Sequence, residues 1–165
     1  MSVSLRAIMA ALAAAPMLAA IATPASASAD KLETAVSKKA GLLGVSGLSN
    51  DMRDLREAIS GGNALARLAV DKFTWTIAKW IGSYVAELGG LDMLVFTGGI
   101  GENDIASRAE ICAGLGTLGI VVDAQRNNVR GAATISAESS PVTVRVIPPA
   151  EDLIIVNHVV RLLGE

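Results

Sequence analysis

The sequence predicts an α/β fold, with a few short strands among a larger number of helices. Apolar runs bounded by turn residues, such as residues 91–96, are typical of buried strands. A longer segment after Asn63 places apolar residues at steps of three and four, which is the pattern of a helix. Residues 30–165 carry 13 basic and 16 acidic side chains, and just under half of them are apolar, which is the composition of an ordinary soluble protein.

The first predicted elements after the apolar N-terminal segment are two short helices separated by a loop. Charges on one side of residues 30–36 predict a helical turn, and the glycines in residues 41–48 predict the loop. Either Ser49 or Asn50 is the expected N-cap of the next helix, because both side chains can accept backbone N–H groups. Two adjacent glycines are expected to end that helix near Ser60.

The longest predicted helix has Asn63 as its N-cap and runs to about Leu88, where two more glycines end it. One continuous apolar stripe follows this helix, and we expect it to be the buried face. The stripe consists of Leu65, Ala69, Phe73, Ile77, Trp80, Tyr84 and Leu88.

A glycine-rich turn follows the strand predicted at residues 91–96. Residues 97–101 read Thr-Gly-Gly-Ile-Gly, and a helix capped by Asn103 or Asp104 is expected to continue to about Leu115. Glycine lets the backbone approach a ligand closely, and a helix N-terminus presents N–H groups to an anion. The turn therefore predicts either a nucleotide site or a purely structural turn, because neither the Walker nor the dinucleotide fingerprint is complete.

The C-terminal part of the chain predicts three further strands, at residues 120–122, 132–136 and 142–147. A polar helical turn is expected over residues 123–128, and a helix over residues 151–163 closes the chain. So few strands for about five helices suggest that part of a sheet is missing.

Composition excludes several classes of protein and of site. A net charge of −2 gives no electrostatic reason to expect a nucleic-acid partner. Cys112 is the single cysteine and His158 the single histidine, which excludes an intramolecular disulfide and a Cys/His zinc site. We expect Cys112 to lie in the core and His158 to be a packing or surface residue.

The first 29 residues contain 21 apolar residues, 12 of them alanine, and one charge, on Arg6. A short basic start, an apolar stretch and a small-residue run before Asp30 have the anatomy of a secretory signal peptide. The apolar stretch is too short for a stable membrane span. A mis-set start site or a reading-frame error also produces such an alanine-rich leader, and both interpretations stay open.

Two further motifs place charged residues at the start of a helix. Asp51-Met52-Arg53 sets an acid and a base on the first turn of a capped helix, as a solvated charge pair or as part of a ligand site. Glu151 and Asp152 open the last helix, where acids favour the helix dipole and can also hold Mg²⁺.

Taken together, these motifs resemble the acetate kinases. Residues 37–54, residues 96–103 and residues 146–148 with Glu151 match the C-terminal part of that family in order and spacing. The resemblance covers residues 29–164 and implies a partial C-terminal lobe of the actin-like, ribonuclease H-like (ASKHA) fold. Acetate kinases transfer the γ-phosphoryl group of ATP to acetate with Mg²⁺, giving acetyl phosphate and ADP.

The resemblance also implies site residues, with ATP or ADP and Mg²⁺ as cofactors. The implied magnesium ligand is Glu151. The family has alanine at the position of Gly98, which is a harmless difference. It has Thr-Asn where this chain has Pro149 and Ala150, so the backbone leading to Glu151 is expected to be stiffer and less polar. The implied nucleotide-binding residues are Asp51, Met52, Arg53, Gly99, Ile100, Gly101, Glu102 and Asn103.

The resemblance therefore predicts that residues 1–29 are a leader and that residues 30–165 are a truncated nucleotide-binding lobe. The family's phosphate loop, its catalytic aspartate and the residues that stabilise the transferring phosphoryl group have no counterpart, so we assign no catalytic residue and expect no activity from this fragment alone. Implied partners are a nucleotide, acetate or another short-chain carboxylate, and a second copy in a homodimer. The alternative functions are a non-catalytic nucleotide-binding module and a dimerisation scaffold. The expected location is cytoplasmic, or exported if the leader is a true signal peptide.

Overall fold

A computed structural model of the chain describes residues 7–10 and 28–163. In these residues a mixed sheet is formed by β1 (Ala7–Ala10), β2 (Met93–Phe96), β3 (Ala133–Thr134) and β4 (Thr143–Val146), in the order β1-β2-β4-β3. Strand β2 pairs in parallel with β1 and β4, whereas β3 is antiparallel to β4. Phe96 and Val146 are register partners, so the segments after β2 and β4 leave the sheet at the same edge.

Helices make up most of the described residues, which agrees with the predicted α/β class. A π-helical segment, Ala35–Lys39, lies between the first two α-helices, and a 3₁₀ turn, Gly116–Leu118, follows the sixth. The α-helices are α1 (Ala29–Thr34), α2 (Gly41–Ser46), α3 (Met52–Ser60), α4 (Ala64–Leu88), α5 (Gly98–Asn103), α6 (Ile105–Ala113), α7 (Ala124–Asn127) and α8 (Glu151–Leu163).

The loop predicted at residues 41–48 is wrong, because most of this segment is the helix α2. Gly41 and Gly47 have φ angles of +67° and +65°, so the left-handed conformation occurs only at the two ends of the helix. Leu42 and Val45 pack against the buried residues of α3 and α4. Burial of these two side chains outweighs the low helix propensity of the glycine between them.

Helix α4 has the predicted length and cap, but its buried face differs from the predicted stripe. The side-chain oxygen of Asn63 accepts the N–H of Ala66 at 2.9 Å, as expected of an N-cap. Of the predicted stripe, Leu65, Trp80, Tyr84 and Leu88 are exposed. Ala69 of the stripe is buried as predicted, and Phe73 and Ile77 are partly buried. The other buried residues of α4 lie outside the stripe: Ala66, Val70, Thr74 and Ile81. Apolar residues occur on nearly every side of α4, so the contacts with α2 and α3 select the buried face.

The predicted strand at residues 120–122 is also wrong, since only Val122 forms an isolated bridge, with Ser136. Strands β3 and β4 confirm the other two predictions in shorter form. The predicted helical turn is α7, and the carboxylate of Asp123 caps it by accepting the N–H groups of Gln125 and Arg126 at 2.9 Å each.

Buried apolar residues form two clusters, with the glycine-rich segment between them. The larger cluster lies on the sheet and includes Phe96 and Cys112. Cys112 is therefore a core residue, as predicted, and burial raises the pKa of its thiol to about 12. The smaller cluster joins α3 to α4, and Ile100 of α5 packs against it. Helix α5 thus follows a strand of the larger cluster and packs against the smaller one.

Most of the leader lies outside the described residues, so its interpretation as a signal peptide or a frame error stays a prediction. Residues 7–10 form β1 at the edge of the sheet. Among the described residues, no helix is both long enough and apolar enough to cross a membrane. His158 is exposed on α8, within the predicted surface or packing role.

Candidate functional site

The glycine-rich segment turns sharply where β2 ends. Thr97 is extended, and Gly98 has a φ of +74°, a conformation that glycine adopts without strain. The chain enters α5 at once, so all of the predicted turn except Thr97 is helical. Within α5, the side-chain amide of Asn103 donates to the carbonyl of Gly99 at 2.9 Å. Asp104, one of the two predicted caps, is the N-cap of α6, and its Oδ1 accepts the backbone N–H of Ser107 at 3.0 Å.

Gly99 and Gly101 have different surroundings. A Cβ atom on Gly101 would lie 3.3 Å from the carbonyl carbon of Phe96 and 3.5 Å from its Cβ, so Gly101 permits a close approach to β2. A Cβ atom on Gly99 would meet nothing within 4 Å. Gly99, and not Gly101, is therefore the glycine beside which space remains for a ligand.

Asp51 is the N-cap of α3, in place of the predicted Ser49 or Asn50. Its Oδ1 accepts the backbone N–H of Arg53 at 2.8 Å, and its Oδ2 accepts Nη2 of the same residue at 2.7 Å. Hydrogen bonds from the side chain and then the backbone of Arg53 lower the pKa of Asp51 to about 2. The hydroxyl of Ser49 supports this cap by accepting the N–H of Asp51 at 3.0 Å.

Arg56 joins α3 to α6. Its guanidinium donates to the two carboxylate oxygens of Glu110 at 2.8 and 2.7 Å and to the hydroxyl of Ser107 at 3.0 Å, and it lies 3.4 Å from Oδ2 of Asp104. The hydrogen bond with Glu110 is the main reason that the pKa of Arg56 is raised. These contacts hold the first turns of α3 beside the start of α6.

Arg108 is fully buried on α6 and connects α5 to the end of α7 and the residues that follow it. Its Nη1 donates to the carbonyls of Gly101 and Glu102, at 2.8 Å each. Its Nε donates to Oδ1 of Asn127, and its Nη2 donates to the carbonyls of Asn127 and Val129, again at 2.8 Å each. Burial lowers the pKa of this guanidinium. A single side chain therefore fixes two backbone segments relative to each other.

A cleft of about 780 Å³ lies between the start of α3 and α5. This volume is in the range of sites that bind small molecules and cofactors. Gly101 and Glu102 are not among the residues that border it, although the sequence predicts them as nucleotide-binding residues. The other six predicted nucleotide-binding residues border the cleft: Asp51, Met52, Arg53, Gly99, Ile100 and Asn103.

Four residues that were not predicted to bind nucleotide also border the cleft: Asn50, Arg56, Asp104 and Arg130. The contacts of Arg56 join residues 48 to 54 positions apart, and no local pattern marks such a contact. Arg108 does have a local signal. It lies three residues before Ile111 and four before Cys112, on the side of α6 where these two apolar side chains are buried.

Glu151, the predicted magnesium ligand, is the first residue of α8. Helix α8 begins shortly after β4, beyond the same sheet edge from which β2 leads into α5. No group of three or more His, Cys, Asp or Glu residues in the described ranges could hold a metal ion. Mg²⁺ in nucleotide sites is bound through one or two carboxylates together with substrate phosphates.

Comparison with known families and curated proteins gives consistent matches. The acetokinase family matches residues 14–157, so the family-like sequence extends further upstream than residue 29. The acetate kinase of Phocaeicola vulgatus is 47% identical over 131 residues, which are 79% of this chain and 33% of that protein. The acetate kinase of Treponema denticola is 47% identical over 137 residues, which are 82% of this chain and 34% of that protein. The chain thus spans about a third of the length of the curated relatives that it matches.

Solved structures match the fold as well as the sequence. The crystal structure of Porphyromonas gingivalis acetate kinase superposes with a TM-score of 0.77 at 40% identity, covering 84% of this chain and 35% of that one. A propionate kinase from Francisella tularensis superposes with a TM-score of 0.71 at 37% identity, covering 78% of this chain and 33% of that one. The mixed arrangement of helices and sheet is therefore similar to that of acetate and propionate kinases.

Proposed function

The chain belongs to the acetokinase family, and on that premise we propose that residues 30–165 form the nucleotide-binding lobe of an acetate kinase-like enzyme. In this role the chain binds ATP or ADP in the cleft between α3 and α5. The proposed reaction of the whole enzyme transfers the γ-phosphoryl group of ATP to a carboxylate oxygen of acetate or another short-chain carboxylate. The bond between the γ-phosphorus and the bridging oxygen breaks, and the products are ADP and an acyl phosphate.

The convergence of two distant motifs at one cleft is the observation that carries this proposal. Gly99 leaves open space, and Ile100 offers an apolar surface, backed by the smaller core cluster, on which a base can pack. The side chain of Arg53 is 91% exposed, and besides its hydrogen bonds to Asp51 it can reach oxygen atoms of a ribose or a phosphate. An apolar surface beside polar side chains is the common composition of a site for a small molecule.

We propose that the chain by itself binds nucleotide without transferring a phosphoryl group. Phosphoryl transfer depends on positioning the reactants and on stabilising charge around the transferring group. The carboxylates of Asp51 and Asp104 border the cleft, but they are paired with Arg53 and Arg56. Glu151 is the proposed ligand for Mg²⁺, which neutralises phosphate charge when it is bound. The chain alone then acts as a non-catalytic nucleotide-binding module.

Two measurements on the purified chain test these proposals. With ATP, acetate and Mg²⁺, a hydroxamate assay is expected to detect no acyl phosphate, and turnover near that of a full-length family member would contradict the proposed inactivity. In a calorimetric or NMR titration, ADP is expected to bind with a dissociation constant on the order of 1 mM, since a half-open cleft buries little of the ligand. The absence of saturable ADP binding would contradict the assignment of a nucleotide-binding lobe.

We also propose that the chain forms a homodimer through α4, as the resemblance implies for the C-terminal lobe. Trp75 on this helix is 67% exposed, and the rings of Trp80 and Tyr84 stack at a centroid distance of 6.1 Å on exposed positions. Exposed aromatic residues are common in protein interfaces. Sedimentation analysis of the wild type and of Trp75→Glu tests this proposal, because the variant is expected to be monomeric.

A cytoplasmic location is proposed from the same family membership, because the resemblance implies action on cytosolic metabolites. A reporter fused after residue 35 is expected to stay inside the cell with the leader uncut. Efficient cleavage after Ala29, with the reporter outside the inner membrane, would support export instead.

A further inference from the structure

Arg130 borders the same cleft and follows the segment that Arg108 holds in place. Its side chain is exposed, and it makes no ion pair or hydrogen bond with any residue in the ranges that the structure describes. Arg130 therefore borders the cleft with a guanidinium whose donors are not used by any residue that the structure describes.

The two other arginines at the cleft are paired with carboxylates. Nη2 of Arg53 lies 2.7 Å from Asp51, and Nη2 of Arg56 lies 2.7 Å from Glu110. Because a paired guanidinium has much of its charge compensated by the adjacent carboxylate, these two residues contribute less to the attraction of an anion. Among the described residues that border the cleft, Arg130 is the arginine whose charge is left uncompensated.

The backbone next to Arg130 is held rigidly with respect to α5. Arg108 donates to the carbonyl of Val129, immediately before Arg130, and also to the carbonyls of Gly101 and Glu102. Rigid support of the backbone reduces the entropy lost when a side chain of that segment binds a ligand. The buried side chain of Arg108 thus positions the backbone before Arg130 relative to the glycine-rich segment.

We infer that Arg130 is an additional nucleotide-binding residue, whose guanidinium contacts phosphate oxygens of the nucleotide bound at Gly99 and Ile100. This inference rests on the proposed nucleotide-binding function of the cleft. A planar guanidinium matches the geometry of a phosphate group and binds it through two parallel hydrogen bonds. A neutral nucleoside offers no such partner, so the contact distinguishes ADP from adenosine.

The test compares Arg130→Gln with wild type and with Arg126→Gln in the full chain. Arg126 provides a matched control because it has the same charge and lies four residues earlier, but it pairs with the exposed Glu138 and does not border the cleft. We expect Arg130→Gln to weaken ADP binding by about fivefold in an NMR titration, as for a solvent-screened ion contact. Arg126→Gln is expected to leave ADP binding unchanged, and neither substitution is expected to change adenosine binding.

Salt dependence gives a second readout. The affinity of the wild type for ADP should fall with rising ionic strength more steeply than that of Arg130→Gln, because the variant has lost one phosphate contact. Arg130→Lys keeps the charge and should recover part of the affinity for ADP.

Each other outcome overturns the inference in a different way. Equal ADP binding by wild type and Arg130→Gln would remove Arg130 from the site and leave the proposed function intact. An equal loss of ADP and adenosine binding would show that the side chain contacts the base or ribose instead of the phosphates. A wild type that does not bind ADP would overturn the proposed function and this inference together.

Discussion

Arg56 on α3 donates hydrogen bonds of 2.8 and 2.7 Å to the two carboxylate oxygens of Glu110 on α6. The two side chains are only 22% and 29% exposed, so solvent and salt screen this pair less than an ordinary surface pair. The pair joins the helix that carries Asp51 and Arg53 to the segment that follows α5. The relative position of the two predicted motifs therefore depends on residues that belong to neither motif.

Replacing Arg56 with alanine is expected to lower the free energy of unfolding by about 2 kcal/mol, because it leaves the half-buried Glu110 with a weaker partner. That remaining partner is Arg67, at 3.2 Å. Urea denaturation measures the change, and ADP binding should weaken in the same variant. The control is Arg126→Ala, which removes an exposed pair with Glu138 and a 3.2 Å hydrogen bond to the carbonyl of Ser136, and it should cost less than about 1 kcal/mol. Equal, small losses in both variants would contradict a structural role for the Arg56–Glu110 pair.

Replacing Arg108 with methionine is expected to lower the free energy of unfolding by about 3 kcal/mol or more. The substitution removes every hydrogen bond that this guanidinium donates to α5 and to the Asn127–Val129 segment, and it leaves buried carbonyls without a donor. Arg108→Lys keeps three donors and should fall between wild type and Arg108→Met. Chemical denaturation of the three proteins provides the comparison. A methionine variant as stable as the wild type would show that these hydrogen bonds make no net contribution to the free energy of unfolding.

Gly99 and Gly101 of α5 are expected to respond oppositely to substitution. Gly99→Val places a side chain in open space at the cleft, so it should block ADP binding while the melting temperature stays close to that of the wild type. Gly101→Ala places a methyl group 3.3 Å from the carbonyl carbon of Phe96, so it should lower the melting temperature by several degrees, as a change of about 1 kcal/mol does in a domain of this size. Thermal melts and ADP titrations separate the two effects. Normal ADP binding by Gly99→Val would remove this glycine from the site.

The pH dependence of the α3 cap follows from the lowered pKa of Asp51. A carboxyl whose folded pKa of about 2 lies below its ordinary 3.8 favours folding above the ordinary value, and this contribution is lost as the pH falls towards 2. Carboxyl NMR should find the midpoint of Asp51 near 2 in the wild type. In Arg53→Gln the midpoint should move towards 3.8, because the side-chain hydrogen bond from the guanidinium, the largest cause of the lowered pKa, is removed. A midpoint near 3.8 in the wild type would contradict the pairing of Asp51 with Arg53.

The helix boundaries were largely predictable, because the residues that begin and end a helix act over a few positions. Asn63 caps α4 through its own side chain, and Gly89 ends the helix with a φ of +66°. The cap of α3 was misplaced by one residue, since Asp51, Asn50 and Ser49 are all able to accept a backbone N–H. Asp51 is the residue that does so, and it also pairs with the side chain of Arg53.

The residues of the candidate site were predictable only where they form compact motifs. Asp51, Arg53, Gly99 and Ile100 stand in short segments whose chemistry can be interpreted locally, and these segments do meet at one cleft. Gly101 belongs to the same motif by sequence, yet it packs against Phe96 and accepts a hydrogen bond from the buried Arg108, and it does not border the cleft. A motif therefore identifies a region, whereas the role of each residue within it depends on the neighbours.

The sequence by itself determined the class of the fold, the order of most elements and the two motifs that meet at the cleft, because turn residues, caps and apolar periodicity act locally. The tertiary structure alone decided that α2 is a helix and which side of α4 is buried. It also decided that Arg56 and Arg130 border the cleft and that Arg108 is buried behind α5. These features depend on contacts between residues far apart in the chain, where burial and hydrogen bonding outweigh local preference.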